Sequence, residues 1–114
     1  MFTKEYIELC KDKRVQELRP ELERGDWYEL HGLIFLLANL HGSRQKITWL
    51  PTGDQLDEEI IKIADKHNAE YGAIRLKAKK WRVFYGCYVR TENFEHDNPL
   101  IAKIKLLLQL LNTK

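Results

Sequence analysis

Cysteine is scarce. The 114-residue chain has two, Cys10 and Cys87, 77 positions apart and in no C-x-x-C pair. That argues against a disulfide-stapled secreted scaffold and for a reducing compartment. Long apolar runs are lacking too: the longest uncharged stretch, residues 30–43, has 14 residues with two histidines and two glycines, too short for a membrane helix. The start, Met1-Phe2-Thr3-Lys4-Glu5, has no apolar stretch behind its lysine, so no secretory signal is expected. His31, His41, His67 and His96 are scattered, with no H-x-x-x-H or H-E-x-x-H spacing to bring ligands onto one helical face. The phosphate-cradling patterns G-x-x-x-x-G-K-[ST] and G-x-G-x-x-G are absent as well. Cys10 falls on an apolar helical face and Cys87 on an apolar strand face, where a thiol is ordinarily buried and inert. The expectation is a non-enzymatic protein with no catalytic residue, cofactor or metal.

What is present is an ordinary globular composition, 44% hydrophobic and 32% charged. A chain of this size hides roughly two-thirds of the surface it exposes unfolded, enough for a core without metal or disulfide. One domain, residues 1–114, is expected. The net charge of +2 conceals a segregation. Residues 52–70 hold six acids against two lysines, whereas residues 71–91 hold six basic residues (Arg75, Lys77, Lys79, Lys80, Arg82, Arg90) and no acid. Either the two segments face each other and neutralise, or they face apart and the basic one is free for a partner.

The hydrophobic pattern predicts an α+β fold in the order helix, β-meander, helix, β-hairpin, helix. About five short antiparallel strands form one sheet, packed with N-terminal, central and C-terminal helices. Thr3 is a natural N-cap, with Tyr6, Ile7 and Cys10 on one helical face, a break near residues 11–14, and Val15 and Leu18 continuing to a stop at Pro20. Gly25-Asp26 and His31-Gly32 are turn signals around a hairpin made by Trp27, Tyr28 and Leu30 and by residues 33–37. A buried helix over residues 33–40 is the alternative, since short apolar runs do not discriminate by period alone. A turn at His41-Gly42-Ser43 precedes a third strand, residues 47–50. Pro51 ends it, and Thr52 or Asp54 caps a helix whose Leu56, Ile60, Ile63, Ala64 and His67 trace one face with Ile61 beside it; Asp57, Glu58 and Glu59 suit its positive dipole end. Ile74, Leu76 and Ala78 then alternate with Arg75, Lys77 and Lys79 as a strand, and a bulge or tight turn at the lysines leads to a strand over residues 81–90. Residues 91–98 read as a polar loop. Asn98 caps a last helix with Pro99 at its first position.

The run W-L-P-T-G-D-Q-L at residues 49–56, with Tyr6-Ile7-Glu8-Leu9-Cys10 and Gly25-Asp26-Trp27 before it and a leucine-rich last helix after it, resembles small uncharacterised proteins of bacteriophages and prophages that share a W-L-P-T-x-D-Q-L run between a strand and a helix. Gly53 and Asp57 depart from the glutamines usual at those positions. The resemblance implies the cytoplasm of a bacterial host and a host or phage protein as partner. It carries no activity. The same residues have a structural account as strand end, helix cap and a Trp49–Leu56 staple, which outweighs a binding role for Asp54 or Gln55.

Two surfaces are candidates for function. If Trp81, Val83, Tyr85 and Val89 face the core, then Arg82, Phe84, Tyr88 and Arg90 share the other face, with Lys77, Lys79 and Lys80 nearby. Cations interleaved with aromatics suit a single-stranded nucleic acid. In the last helix Leu100, Ile101, Ile104, Leu107, Leu108 and Leu111 form one stripe, and Leu106 and Leu110 lie off it. That surplus suits a protein partner or a symmetric homodimer. A protein-interaction module is the leading expectation, with single-strand binding through residues 75–90 as the alternative and no membrane contact.

Overall fold

The structure, a computed structural model, describes residues 2–37, 47–87 and 90–112. The chain divides into two compact units, Met1–Thr52 and Gly53–Lys114. Both mix helix with antiparallel sheet, so the α+β class is as expected. The described strands number six, arranged in two three-stranded sheets rather than one.

In the first unit, the Thr3 hydroxyl accepts the Tyr6 N–H and starts α1 (Lys4–Cys10). The expected break follows because Asp12 is a second cap: its carboxylate takes the Arg14 N–H and starts α2 (Lys13–Glu17). Tyr6, Cys10 and Val15 are fully buried. Strands β1 (Trp27–Leu30) and β2 (Leu33–Leu36) form the expected hairpin, turning at His31 and Gly32, both at positive φ (53° and 83°). Two consecutive left-handed residues are what a tight hairpin requires, and Gly32 takes the more demanding position at no steric cost. The strand reading therefore prevails over the helical one for residues 33–36; the turn expected at His41-Gly42-Ser43 lies outside the described residues. Strand β3 (Thr48–Leu50) pairs with β1, not β2, giving the order β2-β1-β3. This is a correction to the meander. Trp49 and Leu50 of β3 belong to the core, so the strand lies where they can be buried, beside β1.

In the second unit, α3 (Gly53–Lys66) buries Leu56, Ile60 and Ala64. Ile61 is exposed, and His67, expected on the buried face, is exposed as well. The helix has ended there, and Asn68 follows at φ 52°, a left-handed stop. Strands β4 (Glu70–Arg75), β5 (Trp81–Cys87) and β6 (Arg90–His96) form an antiparallel sheet in sequence order. Helix α4 (Pro99–Leu111), capped by Asn98 as expected, packs on β5, β6 and α3. Val83 and Tyr85 face it and are buried.

Three readings change here. Residues 91–98 are not a loop, because most of them form β6; its Glu92, Phe94 and His96 are half-buried and alternate with exposed Thr91, Asn93 and Glu95. The strand read across residues 81–90 is two strands, with Cys87 and Arg90 as facing partners. The strand expected through Ala78 stops at Arg75, and Ile74 points outward, 45% exposed. It pairs with Arg82, whereas Tyr71 and Ala73 pair with the inward-facing Tyr85 and Val83. Among the described residues no helix is long and apolar enough to cross a membrane.

Candidate functional site

The basic segment folds as a hairpin, and its seven candidate residues do not share a face. Arg82 lies on the face away from α4, where its guanidinium donates to Glu95 from Nε at 2.8 Å and Nη2 at 2.6 Å. Phe84 is on the same face, the far end of its ring against Gly72: a Cβ added at Gly72 would meet Cζ at 2.5 Å. Arg90 is on the opposite face. It ion-pairs with Glu92 at 3.2 Å and donates to the Gln109 carbonyl at 3.0 Å, closing the C-terminal end of α4. Tyr88 lies outside the described residues. Among the described residues the stacking platform is therefore not assembled, because Arg90 pairs with Cys87 and so lies on the face opposite Arg82 and Phe84.

Lys77, Lys79 and Lys80 are brought together, with Arg75 beside them. All four side chains are exposed, and none makes an ion pair among the described residues. They surround a turn closed by the Leu76 N–H donating to the Lys80 carbonyl at 2.7 Å. The acidic helix does not neutralise them. Asp57 of α3 instead accepts from Tyr71 Oη at 2.6 Å and ion-pairs with Lys103 of α4 at 3.0 Å. That contact and burial push the Tyr71 phenol pKa up, burial being the larger cause. Of the two alternatives posed by the charge split, the basic hairpin tip facing water is the one found.

The other candidate surface is corrected outright. Leu106 is fully buried and Leu110 is 3% exposed, so neither offers a face to a partner. Helix α4 is buried on Ile101, Ala102, Ile104, Leu106, Leu107, Leu110 and Leu111, which run round much of its circumference. Its excess of leucine is core.

The apolar surface lies elsewhere, on β2. Leu33 is 62% exposed, Ile34 39%, Phe35 37% and Leu36 50%. Four consecutive apolar side chains on both faces of one strand meet solvent, and β2 is an edge strand whose only described partner is β1. The opposite edge of the sheet is closed. Gln16 of α2 donates from Nε2 to the Trp49 carbonyl at 3.0 Å and accepts the Trp49 N–H at 2.8 Å, as a neighbouring strand would. A third bond, from Nε2 to the Cys10 carbonyl at 2.6 Å, holds that amide in place. The sequence carries a sign of the open edge. An unbroken L-I-F-L-L run lacks the alternation of a strand with one wet face, and no lysine or proline protects it.

Burial pushes the Cys10 thiol up to about 12, partly offset by its contact with Tyr6. Among the described residues, no three His, Cys, Asp or Glu side chains are grouped to hold a metal ion. No protein-family model, curated protein or solved structure matches the chain.

Proposed function

We propose that the chain is a non-enzymatic interaction module that self-associates through the outer edge of β2. The supporting observation is the exposure of all four apolar side chains of an uncharged edge strand, while the other edge of the same sheet is sealed by Gln16. An exposed apolar edge is a template for a further strand. A two-fold axis beside β2 would pair Leu33 of one copy with Leu36 of the other, and Ile34 with Phe35, so every side chain of the short strand meets an apolar partner. A four-residue strand buries a few hundred Å² per copy, below the roughly 800 Å² of a standard interface, so association in the micromolar range is expected. The setting that the W-L-P-T-x-D-Q-L resemblance implies is the cytoplasm of a phage-carrying bacterium, where a host or phage protein could offer the same edge a strand.

Sedimentation equilibrium over a concentration series from about 1 to 200 µM tests the reading. Wild type should move from monomer to dimer, and Ile34→Lys plus Leu36→Lys should hold the chain monomeric with an unchanged circular dichroism spectrum. Monomer throughout the wild-type series would overturn it, as would a dimer that survives the double substitution.

A further inference from the structure

We infer that the tip of the β4–β5 hairpin is a phosphate-contacting finger for a nucleic-acid duplex. Two independent observations carry this. Arg75, Lys77, Lys79 and Lys80 place four exposed cations within six residues, unpaired among the described residues. The tip also extends past the last rung of both ladders, since Trp81 pairs with Arg75 on one side and His96 on the other. Glu95, the acid across from Arg82, is already taken by that guanidinium. The second observation is backbone strain. Ala78 and Lys79 sit at φ 63° and 60°, the left-handed region, which is unfavourable for a residue that bears a side chain. A turn built for stability alone would carry Asn-Gly at such positions. Here a lysine occupies one of them, aiming a charge outward at a cost in stability, a combination that accompanies binding sites.

Shape and chemistry select the partner. A two-stranded ribbon fits the major groove of a duplex, where phosphates flank it on both sides. A lipid surface is less suited, because the only apolar side chain among residues 77–80 is Ala78, which has too little apolar area to insert. A single strand is less suited because, among the described residues, Arg82 and Phe84 lie on one face and Arg90 on the other, so the cation–aromatic platform it needs is not assembled. Contact of these four cations with phosphates is electrostatic and independent of sequence.

The test is fluorescence anisotropy with a labelled random-sequence duplex of about 20 base pairs and the full chain. Neutralising four phosphates predicts a salt slope of about −3.6, hence binding about 150-fold weaker at 200 mM than at 50 mM salt. Lys77→Gln, Lys79→Gln and Lys80→Gln together should cut the slope to about −1 and weaken binding at least tenfold at 50 mM, while the same three sites changed to Arg should retain it. All three side chains are exposed, and circular dichroism and sedimentation should be unchanged. The inference fails if the duplex does not bind at 50 mM salt, or if the triple Gln variant binds as wild type does. It fails equally if the single strand binds more tightly than the duplex, or if vesicles of phosphatidylserine and phosphatidylcholine bind while the duplex does not.

Discussion

Replacing Asp26 by Ala tests how the first unit is held together. Asp26 is the one charged residue among the described residues that is buried, at 2% exposure. Its carboxylate accepts two bonds from Arg19, Nε and Nη2 each at 2.9 Å, and a third from the Glu23 N–H at 2.8 Å. Removing the carboxylate strands the guanidinium and an amide. Breaking a buried ion pair from one side costs about 3–5 kcal/mol. Arg19 has an escape, since its side chain is 29% exposed and also reaches Glu23 at 3.3 Å, so the lower end, about 3 kcal/mol, is expected. Urea unfolding followed by tryptophan fluorescence reads this directly, because Trp27 and Trp49 both lie in this unit and the Arg19 guanidinium sits 5.8 Å from the Trp49 ring centre. A double-mutant cycle with Arg19→Ala isolates the pair. The double variant should be less destabilised than the sum of the singles, because removing both charges leaves neither unpaired. A loss below about 1 kcal/mol for Asp26→Ala, the size of a surface pair, would refute the argument.

Two further predictions concern the thiols and the turn. The folded-state thiol of Cys10 ionises at about 12 against 9.0 for an ordinary cysteine, so it favours folding fully below pH 9 and loses that contribution as pH climbs towards 12. Stability should therefore fall with rising pH between about 9 and about 12 from this group alone. Cys10→Ala should flatten that slope in alkaline denaturation, and an unchanged slope would count against the assignment. Ala78→Gly relieves left-handed strain but enlarges the unfolded ensemble. The net gain should be about 0.5–1 kcal/mol in thermal unfolding, with no change in duplex binding, and a loss of stability would mean the turn is not left-handed.

Local signals survived folding where a residue's own chemistry decides the outcome. Thr3 and Asn98 each accept the backbone N–H that their side chains suit, and His31-Gly32 supplies the positive φ values of its hairpin. What could not be read depended on partners distant in sequence. Strand β6 has a polar sequence with one large apolar residue, Phe94, and it is a strand because β5 offers it a ladder and α4 covers one face. The alternation of Ile74 with Arg75 was visible, but which of the two points inward follows from register with Val83 and Tyr85. The same limit explains the candidate sites. Charge density places the lysines at the surface, because exposed cations stay exposed; apolar surplus does not tell an interface from a core, and Leu106 and Leu110 are core.

The side chain of Gln16 has a consequence for assembly. A sheet with two open apolar edges can add copies at both and grow without limit, as a fibre does. Here one edge of the β2-β1-β3 sheet is occupied by an amide that already fills the hydrogen-bonding positions of Trp49. If copies add at β2, growth would stop after a single addition, so one glutamine on a short helix would set the limit between a pair and a filament.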